Sequence, residues 1–169
     1  FLYGGTLTKT LPPRQGKIVA AQHQRARRTS FQTMQPADIV YLNGAFVKKE
    51  EAALSPFDRG FLFAHAAYEV TAVFAGKLVD FGAHAARLFR TLEGIDIPAP
   101  LDEAGLEQLH LDLLARNGVE EGFVYLQVSA GAYGGRDFAG PATLQPGLFL
   151  FCEPRNLIGE RARDGIASV

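Results

Sequence analysis

Arg87 is the residue whose type and position best suit it to bind an anion. It stands directly before Leu88 in a helical pattern of Ala85, Leu88, Phe89 and Leu92. Its side chain therefore leaves the helix beside the apolar stripe, at the edge of whatever that stripe packs against. A guanidinium there suits bidentate contact with a phosphate or a carboxylate; a solvated helix arginine is the simpler reading. Arg136 lies in Gly134-Gly135-Arg136-Asp137-Phe138, a glycine-rich loop. Loops of this kind carry functional groups, although a plain surface arginine explains the residue equally well. Tyr68 shares one strand face with Val70, Ala72 and Phe74, and Glu69, Thr71 and Val73 share the other. A tyrosine in such company is by default a core residue.

Other chemistries find no support. His23, His65, His84 and His110 are not spaced as a helical zinc pair. Neither a serine nor Cys152 sits in a nucleophile elbow. Gly131, Gly134 and Gly135 match neither the dinucleotide fingerprint nor the phosphate-loop spacing. Glu50-Glu51 and Glu120-Glu121 read as solvated faces. Cys152 lies in the apolar run Leu148–Cys152 and reads as a buried, inert thiol.

The elements that must position these residues follow from pattern. Ile39–Leu42 and Ala45–Val47 flank Asn43-Gly44, a strong signal for a type I′ hairpin. An Asp58-Arg59-Gly60 turn leads into Phe61-Leu62-Phe63, then a strand over Ala67–Phe74 and a partner strand over Lys77–Phe81. Helices follow over Gly82–Gly94 and from Asp102 to Asn117-Gly118, the second with Leu106, Leu109, Leu113 and Leu114 as its buried stripe. Gly122–Ser129 and Pro146–Glu153 read as strands around the Gly131–Pro146 loop. Strands, then two helices, then strands predict an α+β fold: an antiparallel or mixed sheet with two helices on one face.

With 169 residues, 47% of them apolar and 21% charged, the chain has the size and composition of one globular domain. The net charge of −1 hides an asymmetry. Lys9, Arg14, Lys17, Arg25, Arg27 and Arg28 precede residue 34 with no acid among them, which leaves eleven of the 17 basic residues against all 18 acids after it. Residues 1–33 thus read as a basic leader, disordered or non-native, ahead of the sole methionine, Met34. A mitochondrial presequence is the alternative, and a nucleic-acid arm a weaker one. The domain is expected over 34–155, with 156–169 beginning a connection. No membrane or nucleic-acid partner is expected, and the expected compartment is the cytoplasm.

Five segments resemble, in order and spacing, the small N-terminal domain of the fold-type IV pyridoxal-phosphate aminotransferases, above all the D-amino acid aminotransferases. They are VYLNGAFV (40–47), FDRGFLF…YEV (57–70), GKLVDFGAHAARL (76–88), EEGFVYLQV (120–128) and GRDFAGP (135–141). The resemblance implies that Arg87 binds the phosphate of pyridoxal 5′-phosphate. It implies that Tyr68 and Val70 face the substrate side of that cofactor, that Tyr125 stands near the substrate carboxylate, and that Arg136 traps it. Two departures stand out: Ala64-His65-Ala66 replaces a Gly-Asp-Gly, and Ala130 replaces an arginine.

The activity implied is transfer of an amino group between a D-amino acid and a 2-oxo acid by a homodimer. The Schiff-base lysine is expected beyond Val169, so no catalytic lysine is assigned within the chain, and the segment is read as a fragment inactive by itself. Branched-chain aminotransferase, aminodeoxychorismate lyase and a non-catalytic interaction module with the same fold are the alternatives.

Overall fold

The structure, a computed structural model, describes residues 37–159. The leader read over 1–33 lies outside the described residues, as does 160–169 of the expected connection.

Strands β1 (Ile39–Leu42) and β2 (Ala45–Lys48) form the predicted hairpin, with positive φ at both turn residues, 47° at Asn43 and 100° at Gly44. Helix α1 (Arg59–Phe63) follows, then β3 (Ala66–Phe74), β4 (Lys77–Leu78), α2 (Phe81–Gly94), α3 (Glu103–Asn117), β5 (Gly122–Ser129) and β6 (Gly147–Pro154). The six strands make one antiparallel sheet in the order β2-β1-β6-β5-β3-β4. Its centre is the long β3-β5-β6 ladder, in which Val70 opposes Tyr125 and Tyr125 opposes Phe151.

The core lies between one sheet face and helices α2 and α3. Leu88 and Leu92 of α2 and Leu106 and Leu113 of α3 pack with Val73, Val124, Leu126, Val128 and Leu150 from the strands. Burial of each such leucine stabilises the fold by about 1.5–3 kcal/mol. Asp102 caps α3 as its sequence suggests, accepting a hydrogen bond from the Gly105 amide at 2.8 Å, and Gly118 ends it in the left-handed conformation. Asn117 then fastens α3 to β1: its side chain accepts from the Ile39 amide and donates to the Ile39 carbonyl, both at 2.9 Å. Cys152 is fully buried, and burial pushes its thiol up to about 11, which keeps it protonated and unreactive at neutral pH.

Three expectations need correction. The Asp-Arg-Gly turn begins a short helix, because Asp58 caps it by accepting from the Gly60 amide at 2.7 Å. Strand β4 stops at Leu78 rather than Phe81: Asp80 takes φ +51°, and Phe81 turns into the core as the first residue of α2. The faces of β3 are also reversed. Ala67, Glu69, Thr71 and Val73 are buried beneath the helices, while Tyr68 is 65% exposed on the open face. An apolar count favours the Tyr68 face, but a buried carboxylate is tolerated where partners satisfy it.

Candidate active site

Those partners are Arg87 and His84. Both project from α2 toward Glu69, three residues apart on one side of the helix. Arg87 donates to Glu69 Oε1 through Nε at 2.6 Å and to Oε2 through Nη2 at 2.5 Å. His84 Nδ1 lies 2.9 Å from Oε2. An ionised carboxylate only accepts, so His84 donates from Nδ1. Burial pushes the Glu69 carboxyl up, but the hydrogen bonds and charges of Arg87 and His84 outweigh it and hold the carboxyl below its ordinary value. Glu69 in turn raises the Arg87 guanidinium further above its already high range. The Glu69 side chain is 7% exposed and that of Arg87 60%. Arg87 is thus gripped along one edge while its remaining N–H groups stay available to an anion.

Tyr68 precedes Glu69 and points to the opposite face. There it stacks on Tyr125, with ring centroids 5.6 Å apart and planes 17° apart. Tyr125 stacks on Phe151 at 5.0 Å, and Phe149 lies 5.9 Å beyond. The result is an aromatic row across the open face. Tyr125 donates from its hydroxyl to Gln127 Oε1 at 2.8 Å, and burial raises its phenol, with a smaller contribution from Tyr68. Val70 opposes Tyr125 in the ladder and is 39% exposed. A cavity of about 520 Å³ opens on the α1 side of this row, lined by Leu42, Leu54, Phe61, Gln127, Ser129 and Phe149 among others.

Strand β4 pairs with Val73 and Phe74, so among the described residues the Ala66–Thr71 stretch of β3 has no neighbouring strand on its outer side. Tyr68 and Val70 approach that edge from one face and the Glu69–Arg87–His84 group from the other. Lys77 pairs with Phe74, about 20 Å along the strand from Tyr68. Lys48 and Lys49 lie at and just beyond the end of β2, the strand at the opposite edge of the sheet. None of these three stands beside Tyr68.

Each residue of Asp58-Arg59-Gly60 has a task. Asp58 caps α1 with Oδ1 and accepts from Ser129 Oγ at 2.8 Å with Oδ2, tying the helix to β5. Gly60 lies so close to β5 that a Cβ would meet Ser129 Cβ at 3.0 Å and Asp58 Oδ1 at 2.9 Å. Arg59 donates to the carbonyls of Asp137 at 2.7 Å and Phe138 at 3.2 Å. Arg136 packs on Phe63 and Phe138, with its guanidinium 5.2 and 4.6 Å from the ring centroids.

Of the residues singled out in the sequence, Tyr68, Val70 and Tyr125 therefore come together, Arg87 lies across the same strand, and Arg136 lies against α1. Glu69, His84 and Arg59 were not singled out. Glu69 had a readable signal: an acid on a strand face shared with Thr71 and Val73, with two cationic candidates three apart on the next helix. Arg59 had only its place between Asp58 and Gly60. Among the described residues no cluster of His, Cys, Asp and Glu is arranged to hold a metal ion. No helix among them is long and apolar enough to cross a membrane.

Residues 66–169 match the model of the family described as Amino-transferase class IV. A D-alanine aminotransferase of Listeria monocytogenes is 33% identical over 102 residues, 60% of this chain and 35% of that protein. The chain thus spans about a third of the length of the curated relatives it matches. Among solved structures, a 4-amino-4-deoxychorismate lyase from Pseudomonas aeruginosa is 32% identical with a TM-score of 0.58, over 72% of this chain and 42% of that one. A branched-chain aminotransferase from the thermophilic archaeon Thermoproteus uzoniensis, solved with norvaline, has a TM-score of 0.61 at 20% identity, over 71% and 41%. That identity supports likeness of fold alone. The match of the family model, together with the antiparallel α+β architecture, shows that this chain belongs to the class IV aminotransferases.

Proposed function

We propose that the full-length protein is a D-amino acid aminotransferase that moves an amino group between a D-amino acid and a 2-oxo acid, with pyridoxal 5′-phosphate as cofactor. The observation that carries this reading is the Glu69–Arg87–His84 group at the open edge of β3, in a chain 33% identical to a D-alanine aminotransferase. The donor set fits a phosphate. A guanidinium oriented by a buried carboxylate presents a planar array of N–H groups, with His84 adding a positive charge when protonated.

Bound pyridoxal phosphate would supply the carbonyl that takes up the amino group and the ring that draws electrons from Cα. Arg87 would bind the phosphate, held in place by Glu69. Tyr68 and Val70 would shape the substrate side from the open face, and Tyr125 would stand near the substrate carboxylate. Arg136 would bind that carboxylate from its loop by charge-assisted hydrogen bonds. None of the described lysines, Lys48, Lys49 and Lys77, is assigned the Cα proton in this reading. The proposal extends to a homodimer working in the cytoplasm.

A second reading, aminodeoxychorismate lyase, is favoured by the 32% identity to the Pseudomonas aeruginosa enzyme. Purified full-length protein with pyridoxal phosphate separates the two. Transfer from D-alanine to 2-oxoglutarate, with pyruvate formed, is the expected result. Pyruvate release from aminodeoxychorismate without D-alanine turnover would establish the lyase. Turnover confined to L-leucine, L-isoleucine and L-valine would establish a branched-chain enzyme. Absence of any absorbance band from bound pyridoxal phosphate would leave the non-catalytic module as the reading.

A further inference from the structure

We infer that Arg59 is a positioning residue that holds the 131–146 loop in the conformation presenting Arg136; its consequence for substrate binding rests on the reading of Arg136 as the carboxylate-binding residue. Arg59 grips the loop at two places. Its backbone amide donates to the Gly131 carbonyl at 2.9 Å, where the loop leaves β5. Its guanidinium donates to the carbonyls of Asp137 and Phe138, the two residues that follow Arg136. Among the described residues, no other side chain from outside the loop hydrogen-bonds residues 132–144; the remaining side-chain bonds there, from Ala139 to Asp137 and from Gln145 to Tyr133, stay within the loop.

Packing completes the grip. The Arg59 guanidinium lies 4.8 Å from the Phe63 centroid, and Phe63 and Phe138 pack 5.2 Å apart. Arg136 rests on the same two rings. Gly140 leaves room for the arrangement: a Cβ there would approach Arg59 Cζ and Nη1 to 3.2 Å. The anchor itself stands on a short helix capped by Asp58 and tied to Ser129. A planar guanidinium can serve two successive carbonyls while stacked on a ring, and a lysine ammonium cannot reproduce that geometry. The loop is otherwise rich in glycine and joined to the rest mainly at its ends, so its local opening should be governed by this contact.

The test compares Arg59→Lys and Arg59→Gln with the wild type in the full-length protein, by hydrogen exchange and by steady-state kinetics. In both variants exchange over 131–146 should accelerate roughly tenfold or more, with peptides of β5 unchanged. KM for the amino acid donor should rise roughly tenfold while kcat changes less than about threefold. Unaltered loop exchange in Arg59→Gln would overturn the inference. So would equal loss of protection in β5, which would make Arg59 a general structural residue, or a loosened loop with unchanged KM. If the wild type transaminates no amino acid, the functional reading of Arg136 falls independently, and the exchange result alone decides the hold on the loop.

Discussion

Arg87 on α2 meets Glu69 on β3 through two hydrogen bonds, at 2.6 and 2.5 Å, with the carboxylate buried and much of the guanidinium exposed. The pair joins helix to sheet and aims a cation at the open edge of β3. Glu69→Gln keeps the shape but loses the charge and one acceptor. Affinity for pyridoxal phosphate, followed by absorbance in the full-length protein, should fall roughly 10- to 100-fold, the scale of a lost charge-assisted contact. Arg87→Lys should weaken it comparably, because an ammonium cannot meet the carboxylate on one side and an anion on the other with a fixed plane.

Stability should fall in acid through two groups. His110 is buried and its Nδ1 meets the Leu106 carbonyl at 2.7 Å; burial, its largest influence, holds it below its ordinary value. A group depressed on folding contributes stability that is whole above its unfolded value, about 6.5, and is lost as pH falls through the folded one. Glu69, also depressed, adds a second loss below about 4.5. Denaturant unfolding from about pH 8 to about pH 2 should show both. His110→Leu should flatten the upper part of the profile, and an unchanged slope there would contradict the assignment.

Ala64 ends α1 with φ +55° and ψ +24°, in the left-handed region. A side chain there costs about 1–2 kcal/mol relative to glycine. Ala64→Gly should therefore raise stability by about 1 kcal/mol, read as a rise in Tm of a few degrees.

Leu113 and Tyr68 should differ sharply in how much stability a smaller side chain costs. Leu113 has no exposed surface, so Leu113→Ala should cost about 2–5 kcal/mol in denaturant unfolding. Tyr68→Phe removes a hydroxyl from a residue 65% exposed and should change stability by less than about 0.5 kcal/mol, so any larger effect would be read in the kinetics.

Asn43-Gly44, the Asp102 cap, the leucine stripes of α2 and α3 and the Asn117-Gly118 stop could all be read by eye, because each is a local preference that the fold obeys. They determined the α+β architecture, and the motif register determined the family. The site was legible only in parts. Nothing local shows that Glu69 rather than Tyr68 turns inward, since both faces of β3 carry apolar residues and burial of a carboxylate depends on hydrogen-bond donors brought from α2. Nothing local shows that Arg59 spans to Asp137 and Phe138, 78 and 79 residues away. Periodicity reports which faces exist; which one is buried, and which charged group meets which, is decided by tertiary packing, because a buried charge is stable only beside partners that distant parts of the chain supply.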